Sequence, residues 1–220
     1  MSNPIRDKSL KKELEKMEKL AQESSMFQFK VVSPIKEYPD KYLVGFTCQG
    51  MENPNSQRNQ HVIEIYLPME FPRKAPILRF KTPIFHPNIR GLLNDTEKVD
   101  ELIGQVGGIN SFMDTITEDE DFKEIFDSYI CLDVLAENWS PDYSLYDICV
   151  ELAGMIQFQR YNIGDPLNKQ AAVWTLNAEA NGDLPIDKRD FRDKLQHGTE
   201  KKEPQHHPKI RLIKTEDFDQ

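Results

Sequence analysis

Four short runs of alternating apolar and polar residues constrain the fold of this chain more than any other feature. They lie at residues 27–31, 42–46, 62–67 and 77–80, and turn-forming residues such as those at 53–56 separate them. Alternation with a period of two predicts β-strands, and strands that follow one another closely predict an antiparallel meander.

An amphipathic helix is predicted ahead of the strands, from about Asp7 to Glu23. Apolar residues recur there at three- and four-residue steps, and lysines fill many of the other positions. One helix followed by four antiparallel strands predicts an α+β domain in which the helix lies across the sheet.

Further helices are predicted in the C-terminal part of the chain. Ser144 and Asp147 have the spacing of a capping box in front of an apolar stripe. We expect residues 165–166 to open a third helix and residues 187–196 to form a fourth. The charged tail from Thr199 is expected to be mobile or to dock weakly.

The acidic residues are distributed unevenly along the chain. Residues 91–128 hold 11 acidic and 2 basic residues, which equals the whole net charge of −9, and the remainder carries 26 of each sign. An acidic balance argues against a nucleic-acid partner. The lack of a long apolar run or signal core predicts a cytoplasmic protein without a membrane segment. Three cysteines without metal-ligand spacing predict free thiols in a reducing compartment.

Cys131 is the main candidate for chemistry. A lone cysteine is often a small buried residue, so the residues alone leave a structural and a reactive role open. Asn88 has an amide that can donate to a developing oxyanion, although asparagine after proline is also a common turn former. His86 could act as a general base for Cys131. We favour a role in tying the loop together, because His86 stands beside Pro87 and Asn88.

Several separated motifs resemble those of the ubiquitin-conjugating enzyme family, and they occur in the family's order. They are Phe71–Pro76, His86–Ile89, Ile130–Leu135, Asn138–Pro141 and Asp165–Asn168. The resemblance runs from the first helix to about residue 180. It implies the family's fold, in which an N-terminal helix, a four-stranded antiparallel meander, an active-site loop and C-terminal helices follow one another.

The resemblance also implies a two-step carrier. Cys131 would accept the C terminus of a ubiquitin-like protein from an activating enzyme as a thioester, and would then pass it to a lysine amine or another thiol. Asn88 would stabilise the loop or the oxyanion, and Asp165 would orient and deprotonate the incoming amine. The remaining residues implied are loop supports and site-lining residues: His86, Pro87, Trp139, Leu132 and Asp133.

The chemistry implied needs no metal or cofactor, because a thiol with a pKa of about 8.5 is partly ionised near neutral pH and ATP is used by the activating enzyme. The implied partners are the modifier, its activating enzyme and an acceptor protein. The residues that match the region docking the activating enzyme are Arg6, Lys8, Lys11 and Lys12. The same charges could equally form a solvated helix face.

The chain departs from the family between Asn88 and Cys131, where the acidic segment 91–128 adds residues to a normally short loop. This segment could form a lid or a docking surface for the modifier or acceptor, or a disordered excursion. On the surface that contacts RING-type ligases, Arg73 and Asp142 replace apolar residues that are common in the family. Desolvating these charges would be costly, and we expect weak or absent RING binding.

We therefore expect residues 1–198 to form a conjugating domain and residues 199–220 to form the charged tail. A divergent member from a bacterial conjugation system, with a role in antiviral defence, is one hypothesis for its origin. Two other functions stay open. One is a catalytically inactive variant that only binds ubiquitin-like proteins, and the other is a thiol hydrolase built on Cys131 and His86.

Overall fold

The predicted meander is present. A computed structural model describes residues 4–90, 129–130, 139–187 and 189–195. The helices are α1 (Pro4–Glu23), α2 (Leu145–Ile156) and α3 (Lys169–Asn181), and the strands are β1 (Phe27–Val31), β2 (Lys41–Phe46), β3 (Gly50–Asn53), β4 (Ser56–Arg58), β5 (His61–Tyr66), β6 (Ile77–Phe80), β7 (Ile89–Arg90) and β8 (Tyr129–Ile130). The four predicted strands form one antiparallel sheet in the order β1-β2-β5-β6, which confirms the α+β prediction.

The main core lies between one face of this sheet and the two helices α1 and α2. Leu10 and Met17 of α1 and Ile148 of α2 are fully buried there, together with Val44 and Ile63 of the sheet. We call this the inner face of the sheet. Helix α1 begins three residues before the predicted start. None of the helices in the described ranges is long and apolar enough to cross a bilayer.

The segment between the second and third predicted strands forms a hairpin of its own. Residues 53–56 make the predicted turn, but they join β3 to β4 and do not join the long strands directly. A buried ion pair between Arg58 and Glu52, 2.8 Å apart, fixes the hairpin. Alternation is weak in these short strands, so the sequence pattern did not predict them.

The fourth helix predicted at 187–196 is wrong for the residues that the structure describes. Residues 189–195 form turns, because their side chains are held by separate parts of the domain. Phe191 packs on Phe46 in the core, with ring centroids 5.8 Å apart. The carboxylate of Asp193 accepts a hydrogen bond from the backbone N–H of Ser25 at 2.7 Å. These long-range contacts outweigh the local helix preference.

Candidate active site

The side chain of His86 closes the turn that carries Asn88. Its Nδ1 accepts a hydrogen bond from the backbone N–H of Asn88 at 3.1 Å, and its carbonyl accepts from the N–H of Ile89 at 3.2 Å. The ring is fully buried and lies 5.0 Å from the ring of Phe158. Burial lowers the pKa of His86 to about 3, so the imidazole is neutral near pH 7. These contacts support the loop-tie interpretation over the general-base one.

Asn88 is buried and makes a reciprocal pair with the backbone of Asn162. Its Nδ2 donates to the carbonyl of Asn162 at 2.8 Å, and its Oδ1 accepts from the N–H of the same residue at 2.7 Å. Two hydrogen bonds to one residue fix both the position and the orientation of the amide. Asn162 was missed by the sequence reasoning, although an asparagine two residues before Gly164 is itself a turn signal.

A second anchor lies six residues further along this loop. The backbone N–H of Asn168 donates to the carbonyl of Pro87 at 3.0 Å. The side chain of Asn168 also caps α3, because its Oδ1 accepts from the N–H of Ala171 at 3.0 Å. The cap places the start of α3 at Lys169, later than the start that we expected at residues 165–166.

Asp165 lies between the two anchors, on an exposed bend. Asn162 and Asn168 hold the bend against residues 87–88, so the structure brings the Asp165 loop and the Asn88 turn together. An exposed carboxylate on a loop that is fixed at both ends can bind a group that arrives from solvent with little loss of conformational entropy.

The two-stranded ladder of β7 and β8 leads from Asn88 toward Cys131. Ile89 pairs with Ile130, and both side chains are buried in the main core. Asn88 precedes Ile89 in the chain, and Cys131 follows Ile130. Cys131, Leu132 and Asp133 themselves lie outside the described residues, as does the acidic segment.

The two other cysteines, Cys48 and Cys149, are buried and free of disulfides. Burial raises the pKa of Cys48 to about 12 and raises the pKa of Cys149 strongly as well. The thiolate is the reactive form of cysteine, and neither of these thiols forms it near neutral pH.

Trp139 joins the loop before α2 to the loop after β5. Its Nε1 donates to the carbonyl of Pro72 at 2.8 Å, and its ring lies 6.2 Å from Phe71. These contacts fit the predicted supporting role. Arg73 and Asp142, which lie on the two joined loops, are both exposed.

The predicted docking residues of α1 differ in exposure. Lys8, Lys11 and Lys12 are exposed, whereas Arg6 is buried. The guanidinium of Arg6 donates to the carbonyl of Leu67 at 3.0 Å and lies 3.4 Å from a carboxylate oxygen of Asp40. Arg6 therefore holds α1 on the domain, and of the four predicted docking residues the three lysines are the exposed ones.

Comparisons with known proteins point to one family. Residues 9–92 match the ubiquitin-conjugating enzyme family. Ubiquitin-conjugating enzyme E2 13 of Saccharomyces cerevisiae is 28% identical over 134 residues, which cover 60% of this chain and 63% of that protein. Ubiquitin-conjugating enzyme E2 N of Drosophila melanogaster is 30% identical over 120 residues, which cover 54% of this chain and 55% of that protein.

A solved E2 domain of a ubiquitin conjugating enzyme from Toxoplasma gondii aligns with a TM-score of 0.47 and 15% identity, over 79% of this chain and 92% of that chain. The chain spans about 55% to 63% of the length of the two curated relatives named above. Neither of them is bacterial, and the bacterial origin stays a hypothesis. The family match covers most of α1 and the whole meander, and over these residues the chain is similar to the ubiquitin-conjugating enzyme family.

Proposed function

We propose that this chain is an active conjugating enzyme that carries a ubiquitin-like protein as a thioester on Cys131. The observation that carries the proposal is the double anchoring of the Asp165 loop on residues 87–88, beside the strand that leads into Cys131. An inactive binding module would not need an exposed carboxylate fixed at this place.

The burial of the other thiols supports the choice of nucleophile. Cys48 and Cys149 are both fully buried, and burial raises the pKa of both. Loading of the chain at a cysteine therefore requires Cys131. Retention of this residue at the motif position favours an enzyme over a binding module.

In the first step, the Cys131 thiolate attacks the thioester carbonyl that the activating enzyme presents. A new C–S bond forms to Cys131, and the activating enzyme's cysteine leaves as a thiolate. The free energy change of this exchange is close to zero because both the attacking and the leaving group are thiolates.

In the second step, a lysine amine attacks the thioester carbonyl. The C–N bond forms, the C–S bond to Cys131 breaks, and the amine loses a proton. The carboxylate of Asp165 would accept a hydrogen bond from the amine and receive that proton. Asn88 acts as a positioning residue because it holds the Asp165 loop in place. Donation from Asn88 to the oxyanion stays a prediction.

The exposed lysines of α1 support a contact with the activating enzyme. Lys8, Lys11 and Lys12 lie on one end of the helix and can steer association with an acidic partner. The charges at Arg73 and Asp142 support weak binding to RING-type ligases, because both would have to lose water in such a contact. Robust stimulation of discharge by a generic RING domain would contradict this part of the proposal.

The function is tested by incubating the chain with an activating enzyme, ATP and a ubiquitin-like protein, and by resolving the adduct with and without dithiothreitol. We expect an adduct that the reductant cleaves. Cys131→Ser should give an adduct that resists the reductant, and Cys131→Ala should give none. Cys48→Ala and Cys149→Ala are matched controls that should still load.

The same experiment separates the alternatives. A binding module would form no adduct with any activating enzyme that charges the modifier. A thiol hydrolase would release the modifier as a free acid at a rate that exceeds conjugation. The neutral, buried state of His86 argues against the hydrolase, which needs an imidazole able to take a proton.

A further inference from the structure

The backbone of Phe158 makes the turn from α2 into the loop that leads to α3. Its φ is 54°, in the left-handed region. The N–H of Phe158 donates to the carbonyl of Met155 at 2.9 Å, and the N–H of Gln159 donates to that of Gly154 at 2.9 Å, which is the pattern of a Schellman motif. Glycine is the usual residue at this position, and Gly182 occupies it at the end of α3 with a φ of 75°. Phenylalanine is unfavourable there, because its β-carbon crowds the backbone.

The ring of Phe158 packs against three other rings. It is 1% exposed, and its centroid lies 5.0 Å from that of His86, 5.7 Å from that of Trp174 and 6.5 Å from that of Tyr161. His86 belongs to the turn that carries Asn88, Tyr161 belongs to the loop after α2, and Trp174 belongs to α3. A left-handed residue other than glycine persists where its surroundings hold it, and such residues cluster at functional sites.

Two of the partner rings have anchors of their own. The Nε1 of Trp174 donates to the carbonyl of Pro54 at 3.0 Å, in the turn between β3 and β4, and its ring lies 5.9 Å from that of Phe85. The hydroxyl of Tyr161 donates to the carboxylate of Glu179 in α3. Burial and this hydrogen bond raise the pKa of Tyr161 to about 12. The rings therefore form a small core that is separate from the main core and is held from several sides.

This small core lies behind both parts of the candidate site. His86 precedes Asn88 by two residues, and Tyr161 directly precedes Asn162. The amide of Asn88 is hydrogen-bonded to the backbone of Asn162. The ring of Phe158 therefore lies between the two segments that this pair joins. Spacing matters here, because a shift of about 1 Å in a group that acts on the reacting atoms can slow an enzymatic step by about 100-fold.

We propose that Phe158 is a positioning residue for the transfer of the modifier to an amine. Its ring sets the distance between the Asn88 turn and the Asp165 loop, and its left-handed backbone sets the direction in which this loop leaves α2. Phe158 makes and breaks no bond, and it acts through Asp165. The proposal rests on the proposed function, and it explains why phenylalanine stands where glycine would end the helix more easily.

Amide hydrogen exchange tests the positioning without any reaction. Phe158→Leu keeps an apolar side chain and removes the ring. The N–H groups of Asn162 and Asn168 bond to residues 88 and 87, and the N–H of Val62 in the sheet reports global opening. In the variant we expect exchange at Asn162 and Asn168, relative to exchange at Val62, to become about 10-fold faster. An unchanged ratio would overturn the proposal.

Single-turnover discharge of the loaded chain to free lysine tests the transfer step. Phe158→Leu should slow discharge by about 10-fold and leave the loading of Cys131 unchanged. In an Asp165→Asn background the same substitution should have little further effect, because a residue that acts through Asp165 loses its role with it. Val44→Ala, in the main core, is a control for lowered stability and should discharge normally. Equal slowing by Phe158→Leu in both backgrounds, or none in either, would overturn the proposal.

Phe158→Gly separates the role of the ring from that of the backbone. Glycine adopts the left-handed conformation freely, so the end of α2 should be kept. We expect slower discharge than with Phe158→Leu, because no side chain remains to hold the loop. Discharge at the rate of the unaltered chain would mean that residue 158 only ends the helix. If the unaltered chain forms no thioester, the proposed function is refuted, whereas the exchange ratio still shows whether Phe158 holds the loop.

Discussion

Replacing Asn88 by alanine should destabilise the whole domain, because this side chain anchors the loop that carries Asp165. The substitution removes two hydrogen bonds, of 2.8 and 2.7 Å, from the backbone carbonyl and N–H of Asn162. A buried backbone group that loses its partner costs about 1–3 kcal/mol. Asn162 is half-buried, and water can partly replace the lost bonds. We therefore expect the free energy of unfolding to fall by about 2 kcal/mol.

Urea unfolding, followed by circular dichroism, measures this change. With a slope of about 2 kcal/mol per molar urea, the midpoint should fall by about 1 M. Asp165→Ala is the matched control on the same loop. Its side chain is exposed, and its effect on unfolding should stay within about 0.5 kcal/mol. An Asn88→Ala variant as stable as that control would refute the anchoring role.

Three further predictions concern charge and proton binding. Asp165→Asn should slow transfer of the modifier from a loaded Cys131 to lysine by about 10- to 100-fold and should leave the loading of Cys131 unchanged. Single-turnover discharge measures the transfer step separately from loading, and an equal loss in both steps would contradict the role of Asp165 toward the amine. Burial raises the pKa of Glu13, whose carboxylate accepts from the N–H of Leu145 at 2.6 Å, so the ionised form opposes folding and the contribution of this group to stability is lost as the pH rises through its folded pKa. Glu13→Gln should therefore make the slope of the unfolding free energy against pH more positive between pH 4 and 7 than in the unaltered chain, and an unchanged slope would refute this. Burial lowers the pKa of His61 and His86 to about 3, so below pH 6.5 the unfolded chain binds more protons than the folded chain. The free energy of unfolding therefore falls as the pH is lowered from 6.5, with a slope approaching about 1.4 kcal/mol per pH unit for each ring. Replacing His86 by glutamine should make this fall between pH 6.5 and 4 shallower, as measured by urea unfolding at each pH.

Much of the fold follows from the sequence because its signals are local. The alternation of apolar residues predicted the four long strands, and the spacing of Ser144 and Asp147 predicted the N-terminal cap of α2, where both hydrogen bonds of the capping box are present. The helix predicted at 187–196 was wrong because Phe191 and Asp193 contact residues in or next to β1, and no local sequence pattern predicts such contacts.

The candidate site could be predicted only in part. The motifs around His86 and Asp165 identified two segments, but they did not show that Asn162 and Asn168 join them. These contacts are hydrogen bonds between a side chain or a backbone N–H and a backbone group far away in the chain. A single sequence gives only a weak signal for such contacts. The same limit applies to Arg6, whose positive charge predicted an exposed residue although it binds backbone carbonyls inside the domain.

The most direct test of the central claim is intact mass spectrometry of the chain after a short incubation with an activating enzyme, ATP and its ubiquitin-like protein. We predict one added modifier per chain, lost on treatment with dithiothreitol, and located at Cys131 by peptide mapping. Two results would contradict the claim that this chain carries a thioester on Cys131. One is an adduct located at Cys48 or Cys149. The other is the lack of an adduct with every activating enzyme tested, although the lower stability of Asn88→Ala confirms the anchored loop.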